Sequence, residues 1–356
     1  MNRREILKAS LLAPLTAATQ PRGSQTTRSH VIDGMGEIRV DYEMELIDEV
    51  LASGMTAVQV TAGTPSLHGE EAFEDALKEL ADYEHYIDSH RDRLLKATRV
   101  ADLDRARDEK RLALLYQFQN AAPIADKLDR IDLFYRLGVR CMQLTYNSRN
   151  LLGNGCMERT DEGLSDFGIE VVEKMNAMGM LVDVSHSGPR TTDDAVRFSK
   201  EPIAFNHSSC ASVFEHPRAK TDAQLRALAE KGGVIGIFQL NPSLGPKERN
   251  TLDDYLNHVD HAVRVAGIDH VGIGSDREHR TIPDTDEQRQ RLENEMARIR
   301  LPGSPPVQWP FFLSELNHPR RMETVRAGLE GRGYRAADVD KILGGNFYRL
   351  YRDVIG

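Results

Sequence analysis

LVDVSHSGPRTTDDAVRFSKEPIAFNH, residues 181–207, is the stretch that decides the fold. It holds two short apolar runs, 181–186 and 203–207, each closing on a histidine, with a helix-patterned segment, 191–199, between them. An apolar run, a helical crossover and a second apolar run make a βα unit of a parallel sheet. Working outward, six more runs of the same kind occur at 31–34, 57–62, 112–119, 139–145, 234–240 and 271–276. Helical patterns separate them over 70–92, 166–178, 222–230 and 252–266, several opened by Asp or Thr as N-caps. Eight such runs predict an α/β chain folded as a (β/α)8 TIM-like barrel, one domain over residues 30–356. Residues 281–310 read as a proline-bearing loop, followed by closing helices near 320–330, 336–343 and 347–354.

Composition narrows the function. Across 356 residues, 46 Lys and Arg stand against 55 Asp and Glu, a formal charge of −9. A nucleic-acid surface needs clustered cations, so that class of partner is excluded and small molecules are favoured. Cysteines at 141, 156 and 210 form neither a disulfide framework nor a CxxC zinc pattern. Residues 1–29 have the pattern of a twin-arginine export signal: Arg3-Arg4-Glu5-Ile6-Leu7-Lys8, a short apolar stretch over 9–18, and small residues at its end. This leader carries five basic residues and one acidic one, so its removal takes the charge to −13. The expected location is periplasmic or extracellular. No run reaches the roughly 20 apolar residues of a transmembrane helix.

The ends of the runs carry the chemistry. A barrel places its active site at the C-terminal ends of its strands, which here read Gln119, Tyr146, His186, His207 and Asp276. One histidine in such a place is as well explained as a turn residue. Two on consecutive strands place two imidazoles side by side, as a zinc site requires. Asp276, two strands further round, can bind metal or take a proton from the reacting water, and its plain alternative is a helix cap.

At these residues the chain resembles the membrane (renal) dipeptidase family of zinc peptidases. The resemblance runs through Gly163-Leu164-Ser165-Asp166-Phe167-Gly168, residues 178–186, Asn206-His207-Ser208-Ser209, His216-Pro217-Arg218, residues 270–276 and residues 341–347. It implies a metal-dependent barrel hydrolase that cleaves dipeptides, with two zinc ions bridged by a glutamate, and it allows a homodimer. By position, His186 and His207 would hold one zinc, Arg218 would bind the substrate carboxylate, and Asp276 would be the base at the reacting water. Four residues, at three places in the chain, depart from the family. Its first-strand His-x-Asp pair is Met35 and Glu37 here, its bridging glutamate is Gln119, and its substrate-facing histidine is Tyr146. A neutral amide cannot bridge two cations, so one ion per chain is expected, with Asp276 or Gln119 as third ligand. Tyr146 can still donate a hydrogen bond to an oxyanion. Glu278 and His279 are further candidate donors, in a charged loop, 277–280, that would ordinarily be solvated. The leading reading is hydrolysis of a dipeptide or related small amide. The alternatives are a binding module that has lost catalysis, and a mononuclear lyase or isomerase.

Overall fold

A computed structural model describes residues 29–299 and 307–356. The proposed leader therefore lies outside the described residues, apart from Ser29. Ten strands form: β1 (Ile32–Asp33), β2 (Ala57–Thr61), β3 (Leu94–Lys96), β4 (Leu112–Phe118), β5 (Val139–Gln143), β6 (Leu181–Asp183), β7 (Ala204–Cys210), β8 (Ala219–Lys220), β9 (Val234–Ile237) and β10 (Val271–Ile273). Eight of them close a parallel barrel in the order β1, β2, β4, β5, β6, β7, β9, β10 and back to β1. These are the eight apolar runs of the sequence. The short strands β3 and β8 pair with β4 and β7 outside the ring.

Strand residues alternate between two apolar clusters, as a period of two demands. Val58, Val60, Leu114, Tyr116, Met142, Val182, Phe205, Ile235 and Ile237 pack outward in the cluster shared with the helices. Ile32, Ala57, Ala113, Leu115, Cys141, Leu181, Ala204 and Val234 form the inner cluster with Phe347, Leu350 and Tyr351 of the last helix, Asn346–Val354. That helix is fastened by Asn346, whose amide donates to the Ile268 and Val271 carbonyls at 2.8 and 2.7 Å. Above the inner apolar layer the same alternation brings in buried polar residues: Gln59, Gln117, Gln143, Asp183 and Asn206.

The crossover helices follow the sequence closely. Asp166–Met178, Asp222–Glu230 and Leu252–Ala266 begin where their caps place them, with Thr221 and Gln224, and Thr251 and Asp254, forming reciprocal capping boxes. Residues 281–310 differ from expectation. They contain a helix, Asp286–Ile299, whose DEQRQRLENEMARI run is rich in strong helix formers but has too few apolar residues to display a helical stripe. The 277–280 segment also differs, because Arg277 and His279 are fully buried.

One irregularity bears on the site. The register between β7 and β9 shifts between Phe205 and Ser208, so that the backbone of Asn206 bulges toward its neighbours. Glycines receive it. A Cβ added at Gly236 or Gly274 would stand 2.0 or 1.7 Å from the Asn206 carbonyl oxygen. Gly274→Ala is therefore expected to destabilise the fold by about 2–3 kcal/mol, read as a lower urea midpoint; an unchanged midpoint would show that β7 can shift without cost.

Candidate metal centre and active site

The bulge at Asn206 sets up His207, which lies within β7, while His186 follows β6 by three residues in the turn to helix Pro189–Phe198. Their Nε2 atoms face each other at 3.0 Å. Each Nδ1 meets an asparagine oxygen: Asn147 Oδ1 at 2.8 Å for His186, and Asn206 Oδ1 in a short hydrogen bond for His207. The orientation of the Asn206 amide is set independently, since its Nδ2 donates to Gln117 Oε1 at 2.7 Å and its Oδ1 accepts from Ser185 at 3.0 Å. His207 thus carries hydrogen on Nδ1 and turns its Nε2 lone pair toward His186, and the Asn147 oxygen at Nδ1 favours the same tautomer in His186. Two nitrogens bound to one tetrahedral zinc stand about 3.3 Å apart, close to this separation.

Burial holds both histidines well below their ordinary pKa, and the Arg218 and Lys220 cations lower them further. Neutral imidazole is the metal-binding form. Lys220, itself lowered by burial to about 8, donates to the Val184 and Ser187 carbonyls at 2.8 and 3.1 Å, clamping the turn that carries His186. Asp183 braces the same turn, accepting from Ser185 Oγ at 2.7 Å and from the Asn206 amide nitrogen at 2.8 Å. Burial raises it to about 6.

Around this pair the sequence-predicted residues fall into place unequally. Tyr146 stacks on His186, with ring centroids 4.1 Å apart. Arg218 is nearly buried; it donates to the His207 carbonyl at 3.0 Å and its Nη1 stands 3.9 Å from Asp276 Oδ2. Asp276 has a φ of +56°, a strained conformation for a residue with a side chain, and its amide donates to the Met35 carbonyl at 2.9 Å. Burial raises the Asp276 pKa while Arg218 lowers it. Asp276 faces Arg218, and among the described residues no group of three His, Cys, Asp or Glu side chains is gathered in the manner of a metal site.

The other candidate ligands are engaged elsewhere. Gln119 Nε2 donates to Thr61 Oγ1 at 2.9 Å and approaches Met35 Sδ at 3.5 Å. Gln117 also contacts that sulfur, and Thr61 Oγ1 lies 3.6 Å from it. Where the resemblance places a first zinc, the chain has amide, hydroxyl and thioether groups with Glu37 as the one carboxylate, a set without the imidazole and the bridging anion that a second dication needs. His279 is locked to Asp33 at 3.0 Å with both side chains fully buried, and Glu278 pairs with Arg280 and Arg39. These donors are structural. A cleft of about 1350 Å3 lies over the barrel mouth, lined by Glu37, Tyr146, His186, Arg218 and Asp276, with Phe311, Phe312 and Trp309 on its outer wall. Sequence reading missed Asn147, Asp183, Asn206 and Lys220 as the groups that hold the histidines, although Asp183 and Asn206 adjoin them in the quoted stretch.

Residues 27–295 match the family model described as membrane dipeptidase, peptidase family M19. Among curated proteins, the chain is 29% identical over 272 residues to an uncharacterised protein in the pqqA 5′ region of Klebsiella pneumoniae, covering 74% of this chain and 89% of that one. It is 38% identical over 193 residues to dipeptidase VerJ of Clonostachys rogersoniana, covering 53% of this chain and 49% of that protein. Among solved structures, an amidohydrolase from Pseudomonas aeruginosa superposes with a TM-score of 0.80 at 29% identity, covering 92% and 96% of the two chains. A metallopeptidase from Rhodobacter sphaeroides, bound to a phosphinate mimic of L-Ala-D-Ala, shares the fold at a TM-score of 0.76 and 19% identity, covering 92% and 99%.

The buried Asp183 carboxyl gives a pH signature. Its folded pKa of about 6 lies above the ordinary 3.8, so the native state keeps a proton that the unfolded chain loses. Stability from this group is full below pH 4 and is lost as pH rises through 6. Asp183→Asn keeps the Oδ1 acceptor and removes the charge, and is expected to gain roughly 1–3 kcal/mol over the parent at pH 7.5 but not at pH 4. Urea titrations at the two pH values check this, and equal differences at both would refute the assignment.

Proposed function

The chain belongs to the membrane dipeptidase family of metallo-hydrolases, and from that premise we propose that it cleaves the amide bond of dipeptides or related small amides with one divalent metal, zinc, held by His186 and His207. The observation that carries this reading is the pair of Nε2 atoms 3.0 Å apart, each imidazole turned by an asparagine on its far side. A metal held there would polarise an amide carbonyl and lower the pKa of water to about 7.

The protein's own groups supply the rest. Arg218 Nε is buried without a hydrogen-bond partner, and with the neighbouring Nη it offers a fork shaped for the substrate's terminal carboxylate. Its contact with the His207 carbonyl ties that fork to a metal ligand. Tyr146, packed flat on His186, donates to the oxyanion that develops on the carbonyl oxygen as its carbon is attacked. Asp276 takes the proton of the attacking water and passes it to the departing amine. A carboxylate lifted by burial toward neutral pH is a better base than one at its ordinary value.

The proposal extends to export through residues 1–29 by the twin-arginine route, on the sequence pattern alone. The neutral cluster of Met35, Gln117 and Gln119 is the one observation favouring a second reading, a protein that binds dipeptides without turning them over.

Elemental analysis of the purified protein after incubation with zinc is expected to give about one ion per chain, and none in a His186→Ala, His207→Ala double variant. Two ions in the parent would overturn the reading of Met35 and Gln119, and no ion would remove the hydrolytic mechanism. Arg218→Gln is expected to raise KM roughly tenfold to a hundredfold for dipeptides and to leave C-terminally amidated substrates nearly unchanged.

A further inference from the structure

Two arginines with no part in the reaction above are fully buried: Arg321 is 0% and Arg277 1% exposed. Arg277 is well provided for. Its Nη1 donates to the Leu316 carbonyl at 3.1 Å, its Nη2 to Asn317 Oδ1 at 2.6 Å, and its Cζ lies 4.2 Å from the centre of the Phe312 ring. Arg321 has weaker contacts. Its Nη1 donates to the Glu278 carbonyl at 3.0 Å and its Nη2 to the Arg277 carbonyl and Ser275 Oγ at 3.3 and 3.4 Å, while Nε has no hydrogen-bond partner. Neither guanidinium forms an ion pair with a carboxylate among the described residues.

The charges in this region do not balance. Asp33 is fully buried there, and its oxygens are taken by the Ser275 amide and hydroxyl and by His279. Burial and Arg321 hold His279 down to about 4, so it is neutral. Glu278 is paired with Arg39 and Arg280. Two buried cations thus share one buried anion. Arg321 also opens helix Arg321–Gly331, whose amino end no side chain caps, so the helix dipole adds positive potential at the same point. A buried cation without a counter-charge is costly, and the cost falls if an anion joins it.

Two further donors come to this place. Gln239 and Arg321 are tied to one residue, since the Gln239 amide donates to the Ser275 carbonyl at 3.0 Å and Arg321 to the Ser275 hydroxyl. The Gln239 side chain lies beside the hydroxyl of Tyr255, from helix Leu252–Ala266, and Tyr255 is within electrostatic reach of Arg321. Both are 0% exposed. Arg321 Nε, Tyr255 Oη and both ends of the Gln239 amide lack hydrogen-bond partners. We propose that Arg321, Tyr255 and Gln239 bind one small monovalent anion of the halide class, chloride, as a fixed part of the fold. It must be small because all three side chains are fully buried, and monovalent because the excess charge is one. Chloride accepts from the guanidinium, the hydroxyl and the amide nitrogen together, and asks for no particular geometry of its own. Ser275 immediately precedes Asp276, so the anion stands behind the active-site rim, but the inference does not depend on the reaction in the cleft.

The test needs no substrate. Full-length protein dialysed into sodium gluconate is compared with the same protein in sodium chloride or bromide at equal ionic strength. The halides are expected to raise the thermal midpoint by roughly 2–4 °C, with a dependence on concentration that saturates. Arg321→Met is expected to lose this response. Tyr255→Phe removes one donor and keeps the shape, and is expected to need about tenfold more halide for half the shift. Crystals grown in sodium bromide are expected to give one anomalous peak within hydrogen-bond distance of Arg321 Nε. Equal midpoints in gluconate and chloride overturn the proposal, as does a Tyr255→Phe protein with the parent's halide response, or a bromide crystal with only water beside Arg321. The bromide crystal uses the parent protein, so the proposal can fail even where Arg321→Met does not fold.

Discussion

Asn206 is the residue, through its backbone carbonyl and its side chain alike, on which both barrel and site depend. Its carbonyl presses into the space left by Gly236 and Gly274, its Nδ2 reaches Gln117 in the barrel interior, and its Oδ1 receives Ser185 and the His207 imidazole. The chain of contacts runs further down, because Gln59 bonds both Gln117 and Tyr351 Oη of the C-terminal helix. The helix that plugs one end of the barrel is thereby joined by hydrogen bonds to His207 at the other. In a low-dielectric interior such a network specifies one arrangement, since each unpaired member would carry the cost of its own desolvation.

Charge balance explains why the departures from the family pattern occur together. A bridging glutamate is tolerable in a buried site only while cations neutralise it. Once the first-strand histidine is methionine, a cation there has lost a ligand, and an anion at position 119 would be left without compensation. Gln119 keeps the shape and removes the charge, Met35 fills the volume with a polarizable thioether, and Thr61 and Gln117 satisfy the remaining polar atoms. The result is a packed neutral cluster beside a histidine pair that retains its orienting partners.

Much of this was legible in the sequence. The eight barrel strands appear as apolar runs because both faces of each are buried, and their polar ends mark the catalytic rim. The histidine pair was readable from consecutive run ends. What the sequence did not show depends on three-dimensional packing. Helix Asp286–Ile299 displays too few apolar residues for a periodic signal. The 277–280 segment looks solvated, yet Arg277 donates to the Leu316 carbonyl and Asn317 and lies 4.2 Å from the Phe312 ring, while His279 finds Asp33 from 246 residues away. Buried cations of this kind are satisfied by carbonyls and side chains remote in sequence, and no local pattern announces them. Asn147 is hidden for the same reason, since nothing near it in the chain identifies it as the partner of His186.

The strained backbone at Asp276 belongs to the same logic. Its positive φ is held by the hydrogen bond from its backbone amide to the Met35 carbonyl, one strand away, and it sets the carboxylate opposite Arg218. A relaxed strand end would follow the pleat and carry the side chain elsewhere. The Met35 carbonyl that holds Asp276 belongs to the segment that also carries Glu37, so one short stretch, Asp33 to Glu37, positions two carboxylates that line the cleft. Asp33 in turn is held by Ser275 and His279. The segment that carries Met35 thus has a physical reason to keep its shape, because the position of the Asp276 carboxylate is built on its backbone.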